Sequence, residues 1–445
     1  MRIAAMLRAR GAEMTPRAAV AYGEKAWLRA RHAEGKLLNG LHKNQGNRGL
    51  LEIAVFHSRP EILELLLDLG FDPNEPVRMG ESGDCARGGP LRCCVRMGRI
   101  GMAEMLLARG ATLTPWAAVL LGKGEWLRKQ HAAGKLENPI GPEGGLISMA
   151  VKHERPDMLA LLLELGLDPD ERVRVKGLEE PVYSWGGPLR ECATRGELGM
   201  AKILLDGGAD PNTQVYAASS ALGMAHGDKK SEMIKLLEGS GARLSSGEVG
   251  YVRQTEVARK MLAADATLAE SLLWSGASGG DPEIVRMALA KIDWPRDDLR
   301  WFWILWRPLP GHEPWAREDR DLFIECFHLI LERCDPNLRA ERHGQTMLHE
   351  AIARDHEDKA ALAGMLVDAG ARMDIRDDLL KSTPLGWACR WGRVASVKLL
   401  LQRGADAAEA DADDWARPRA WAEKKKLDEV LALLDRGEGG DMAHL

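Results

Sequence analysis

No run in the 445-residue chain approaches the ~20 consecutive apolar positions that a membrane-spanning helix needs. The opening MRIAAMLRARGAEM carries arginine but too short an apolar core for a secretory signal. A strong charge of either sign is missing too. The net charge is −5, with acidic and basic residues interspersed as on an ordinary solvated surface. That leaves no basic footprint for nucleic acid. The seven cysteines are odd in number and scattered, with no C-x-x-C. Cys93 and Cys94 are adjacent, a poor spacing for a disulfide or a metal. The cysteines read as reduced thiols, several in helix cores, where free cysteine packs as a small hydrophobe. A cytoplasmic location follows.

Signatures of catalysis are missing as well. There is no G-x-x-x-x-G-K-[ST], no G-x-G-x-x-G after a strand, and no H-E-x-x-H: His153-Glu154 and His349-Glu350 lack the second histidine. His343, His349 and His356 cluster in sequence, but no cysteine or carboxylate stands at a spacing that would complete a tetrahedral metal site. Gly88-Gly89 and Gly279-Gly280 read as turns before helices rather than phosphate cradles. The carboxylates are dispersed. The expectation is therefore no catalytic residue, no cofactor and no metal.

What is present is periodicity. Residues 381–406 read KSTPLGWACRWGRVASVKLLLQRGAD. Thr383 is placed to cap a helix, and Pro384 suits its first position, where a missing N–H loses nothing. Leu385, Ala388 and Cys389 form a small apolar face. Gly392 ends that helix. Val397, Leu400 and Leu401 face inward from a second helix, which Gly404 closes in the left-handed conformation. Helix, turn, helix and loop within about 33 residues signal a stacked repeat array.

This stretch resembles an ankyrin repeat, through Thr383-Pro384-Leu385, Gly392, Val397-Lys398-Leu399-Leu400-Leu401 and Gly404-Ala405-Asp406. The resemblance extends over nearly the whole chain. Residues 47–74 form a clear unit with Leu51, Ala54, Ile62, Leu66 and Leu67 as its core, followed by a long connector at 75–88. Residues 344–374 form another, and 415–434 a terminal cap with a polar outer part. The chain enters in mid-repeat, with 2–10 as a second helix lacking its first. A block of three units recurs at an offset of about 98 residues: 50–74 returns as 146–170, and Gly88-Gly89-Pro90-Leu91-Arg92 as Gly186-Gly187-Pro188-Leu189-Arg190. Arrays grow by such duplications.

The expected fold is all-α, a solenoid of stacked helix-turn-helix units with short hairpin-like loops and roughly 12–13 repeats by that period. The expected divisions are an N-terminal array at 1–245, an atypical junction at 246–266, a C-terminal array at 267–437, and a disordered tail at 438–445. The C-terminal array carries an insertion at 294–315, WPRDDLRWFWILWRPLPGHEPW, where prolines forbid continuous helix. Its aromatic side chains cannot all face one core, so either some rings are exposed or the loop after 307 folds over them.

The resemblance implies a monomeric, non-catalytic scaffold that binds a protein on its concave face, not nucleic acid or membrane. It places binding at the loop tips and at two positions before the glycine ending each first helix. Those positions are Phe56 and His57, Arg96 and Met97, Lys152 and His153, Thr194 and Arg195, and Arg390 and Trp391, with Tyr183 and Trp185 at a tip. Ser58 and Glu154 replace the glycine in two units, which leaves the register there open by one. The family's opening histidine is kept only by His349, which is expected to bond locally to Thr346; Gly386, Arg190 and Arg92 replace it elsewhere. Two other readings stay open: an inhibitor or stabiliser of one particular enzyme, or an enzyme whose acid–base groups come from Asp297, Asp298, His312 and Glu313.

Overall fold

A computed structural model of the chain describes residues 13–37, 49–75, 77–79, 84–86, 89–138, 144–171, 187–213, 219–309, 318–353 and 357–438. The helix expected at 2–10, the tip at 183–185, the loop beyond 309 with His312 and Glu313, and the tail after 438 lie outside these residues. The described α-helices pair off in chain order into thirteen helix-turn-helix units. Their contacts divide the chain into two bodies, 1–243 and 244–445.

The first body holds seven pairs, from Pro16–Tyr22 with Lys25–Ala33 to Ala221–Gly227 with Ser231–Gly239. Each first helix packs on the next first helix: Leu50–Phe56 on Pro90–Met97, then Pro115–Leu120, Leu146–Lys152, Pro188–Arg195 and Ala221–Gly227. The second body holds six pairs, from Ser246–Val249 with Thr255–Ala264 to Pro418–Lys425 with Asp428–Glu438. Residues 246–266, set apart in sequence, thus carry a helix pair, with a first helix of a single turn. Within the connector expected at 75–88, Val77–Met79 and Asp84–Ala86 pair as a small antiparallel hairpin.

The helices start where local chemistry directs. The Oγ1 of Thr15, Thr114 and Thr383 accepts from the N–H three residues on, at 3.2, 3.3 and 3.2 Å, with proline in the first turn of each helix. The predicted core residues Leu51, Ala54, Ile62, Leu66, Leu67, Leu385, Ala388, Cys389, Val397, Leu400 and Leu401 are buried.

Other caps come from far along the chain. Gly49 and Gly145 stand at N-caps and have no side chain to offer. At Gly145 the buried Glu171 supplies the acceptor, taking bonds from Gly145 N at 2.7 Å, Ile147 N at 2.6 Å, Ser148 N at 3.1 Å and Ser148 Oγ at 2.5 Å. A Cβ on Gly145 would come within 2.5 Å of that carboxylate, so the glycine makes room for it. The duplicate unit repeats the arrangement: a Cβ on Gly49 would lie 2.1 Å from the Glu75 carboxylate. In the second body the buried Glu409, 26 residues after Thr383, accepts from the Thr383 hydroxyl.

Candidate functional site

The five expected residue pairs all sit where a first helix ends and the chain reverses. Each precedes a left-handed residue: Ser58 at φ 52°, Gly98 at 64°, Glu154 at 53°, Gly196 at 80° and Gly392 at 66°. Serine and glutamate therefore take the glycine's conformation in place, and the register does not slip. Phe56 is 38% exposed and meets His57 edge-to-face at 5.2 Å. Trp391 is 37% exposed one residue before Gly392, the place His57 holds in its own unit. Tyr183 and Trp185 lie outside the described residues.

In the first body, two contacts draw three of the pairs together. The Arg195 Nη1 donates to the Lys152 carbonyl at 3.0 Å, and its Nε lies 3.0 Å from Glu191. The His153 ring lies against the end of Pro90–Met97, with Nδ1 3.6 Å from where a Gly98 Cβ would stand. Burial, then the neighbouring Lys152 charge, pushes the His153 pKa below its usual value. His153 is thus half-buried packing rather than a projecting contact, and Met97, Lys152 and Arg96 are half-buried beside exposed Thr194 and Arg195. The Thr194 hydroxyl is engaged with the Arg190 carbonyl at 2.9 Å.

Arginine and lysine reach helix ends in other units of this body. Arg59 Nε donates to the Ala21 carbonyl at 3.0 Å, Arg155 Nη1 to Leu120 at 2.6 Å and Lys230 Nζ to Ala193 at 3.0 Å. Each caps carbonyls that the preceding unit's first helix leaves open, at the end where a cation is favoured. Sequence reasoning missed these partners, which stand 35 to 38 residues apart.

In the second body, Trp391 belongs to an aromatic series. Its ring is 4.9 Å from Trp387, which is 5.1 Å from His349. Arg390 lies over Trp421 at 4.3 Å and over Trp391 at 5.6 Å. Trp387 and Trp421 were not singled out in the sequence; both anchor inward, through Nε1 to Asp377 at 3.0 Å and to Ser382 Oγ at 2.8 Å.

The tryptophan-rich insertion divides by role. Trp301, Phe302, Ile304 and Leu305 are buried, and Trp301 donates to the Pro295 carbonyl at 3.0 Å, while Trp303 is 47% exposed. The expected covering loop lies outside the described residues. Of the acid–base candidates there, Asp298 is engaged by Arg300 at 2.7 and 3.0 Å, and that contact holds its carboxyl below the usual range. Six cysteines are buried; burial pushes the thiols of Cys192, Cys326 and Cys334 up to about 12, away from reactivity. Among the described residues no group of three or more His, Cys, Asp or Glu is placed to hold a metal, and no helix is long and apolar enough to cross a membrane.

Residues 316–411 match the family described as ankyrin repeats (3 copies). Similar solved structures include the ankyrin repeat domain of Bcl-3, described as a unique member of the IkappaB protein family. It is 22% identical and covers 52% of this chain and 87% of its own, with a TM-score of 0.28. The human ASB11 ankyrin repeat domain is also 22% identical, covering 52% of this chain and 100% of its own, with a TM-score of 0.34. A comparison with curated proteins finds no match.

Proposed function

We propose that this chain, an ankyrin-repeat protein, is a non-catalytic scaffold that binds a partner protein through the ends of its first helices and its loop tips. Ankyrin repeats are generally protein–protein interaction modules, and that general role is the starting point. The observation that carries the reading is the shared placement of Phe56 and Trp391. Both are large apolar side chains over a third exposed, and each is one of the two residues before the left-handed residue that ends the first helix of its unit, Ser58 or Gly392. Exposed aromatics of this kind are enriched among binding hot spots.

The binding set is Phe56, His57, Arg96, Met97, Lys152, His153, Thr194, Arg195, Arg390 and Trp391, with Tyr183 and Trp185 at the tip. His153 contributes by ordering Gly98 and its neighbours rather than by projecting. The chain acts as a monomer in the cytoplasm.

A photo-crosslinking amino acid at positions 56, 194 or 391 tests this in a lysate of the native host. One protein captured at these positions and not at Lys202, exposed on a second helix, is the expected result. Equal capture at both kinds of position overturns the assignment of the binding face.

A further inference from the structure

The second body contains an arginine that its surroundings leave without a counter-charge. Nearby arginines are matched: Arg300 lies 2.7 Å from Asp298, and Arg253 2.5 Å from Asp319. Arg307 has no carboxylate in ion-pair reach among the described residues, and its Nε is buried without a hydrogen-bond partner. Its Cζ lies 3.3 Å from the Trp274 ring centre and 5.4 Å from that of Trp306. Burial pushes the guanidinium pKa below its usual value, opposed by the Tyr251 phenol nearby.

The position of Tyr251 is built into the backbone. A Cβ on Gly279 would come within 2.1 Å of the Gly250 oxygen and 2.7 Å of the Tyr251 Cα, and one on Gly250 within 2.1 Å of Gly276 N. Only glycines allow this approach, which sets Tyr251, 52% exposed, against Ala269–Gly279, the helix that carries Trp274. A half-buried cation stacked on indole keeps its in-plane N–H groups to offer, and burial strips part of the hydration that would offset its charge. A planar carboxylate matches that edge with two parallel hydrogen bonds.

We propose that Arg307, held on Trp274 and Trp306 beside Tyr251, is the docking point for a carboxylate side chain on an acidic, aromatic-tolerant segment of the partner protein. This rests on the protein-binding reading above and adds the chemistry of the partner. The test is selection of a displayed random peptide library on the full chain and on Arg307→Gln, with Arg307→Lys as a second variant. Peptides selected on the parent should be enriched in Asp and Glu. They should bind Arg307→Gln about tenfold or more weakly, the scale of a lost charge-assisted hydrogen bond. Arg307→Lys, which keeps the charge but not the planar fork, should fall between. Melting curves of both variants should match the parent's.

Selection without acidic enrichment, binding retained within twofold in Arg307→Gln, or no binder at all overturns the proposal. So does affinity that appears only in Glu313→Gln, which would make Arg307 half of an internal ion pair. None of these results bears on the crosslinking positions, by which the scaffold reading stands or falls separately.

Discussion

The Nε2–H of His349 donates to the carbonyl oxygen of Ser382 at 3.2 Å. Nδ1 must be the acceptor, because the Thr346 N–H, 3.1 Å away, can only donate. The imidazole is therefore neutral, and its burial pushes the pKa down to about 4. Ser382 extends the link, its hydroxyl donating to the Ala416 carbonyl at 2.9 Å and accepting from Trp421 Nε1 at 2.8 Å. One buried chain of hydrogen bonds thus joins three successive units.

Acid should loosen the second body as the buried His349 is forced to take up a proton. An unfolded histidine takes up a proton near pH 6.5, whereas folded His349 resists until about 4. Its contribution is complete above pH 6.5, shrinks as pH falls, and is fully lost near pH 4, a change on the order of 3 kcal/mol. Urea unfolding between pH 4.5 and 7.5, followed through the second body, should show this slope, and His349→Gln should flatten it. An unchanged slope in the variant would place the acid sensitivity elsewhere.

Ser58→Gly and Lys229→Gly should each stabilise the first body. Both native residues hold left-handed backbone, at φ 52° and 55°, which glycine adopts without strain. The gain expected is about 0.5–1 kcal/mol, the left-handed penalty less the entropy that glycine adds to the unfolded chain. Thermal melts settle it; a lower melting temperature in both variants would mean that side-chain contacts outweigh the backbone.

These glycine-replacing residues mark the limit of what the sequence makes legible. Thr383 capping its own helix, Leu400 in the core and His349 bonding to Thr346 follow from residues a few places apart, so the 33-residue pattern reveals them. The Glu171 carboxylate at Gly145, the Arg155 contact with Leu120 and the stack of Arg307 on Trp274 join residues 26 to 35 apart. They depend on how each unit is seated on the next, which apolar periodicity does not specify. The same limit governs the candidate face. The positions at helix ends were legible, but not the burial of His153, which comes from another unit.

Glu171→Ala should destabilise the first body by about 2–3 kcal/mol. The carboxylate takes three backbone N–H groups and a hydroxyl at the start of Leu146–Lys152, and its removal leaves buried donors unsatisfied. Glu171→Gln keeps an acceptor and should cost less. Equal melting of the two variants would assign the effect to the charged carboxylate and its second acceptor oxygen rather than to lost packing.

Leu400→Ala should cost about 2–5 kcal/mol, since Leu400 is fully buried in its unit. In an array, that loss falls first on the mutated unit and its neighbours. Hydrogen exchange should show early loss of protection after residue 381, with the duplicated block of the first body unaffected. Uniform loss along the chain would refute nearest-neighbour stability.

Two of the exposed tryptophans give the sharpest test of the binding face. Trp303 and Trp391 are 47% and 37% exposed, but their settings differ. Trp391 meets Trp387 edge-to-face at 4.9 Å, and the Trp387 Nε1 is fixed by the buried Asp377, so the Trp391 ring packs on an anchored neighbour before any partner arrives. Rigid aromatics lose little entropy on binding and contribute about 2 kcal/mol or more each as anchors. Trp303 touches Phe302 at 5.4 Å, and the side chains flanking it, Phe302 and Ile304, form the core. Trp391→Ala should therefore weaken partner binding by calorimetry while the melting temperature changes little. Trp303→Ala should fold as well, because the core aromatics of that helix are Trp301 and Phe302, both buried. If Trp303→Ala alone weakens binding, the contact surface belongs to the insertion and not to the helix ends. If both variants bind as the parent does, neither exposed ring is an anchor, and the helix-end assignment falls with Trp391.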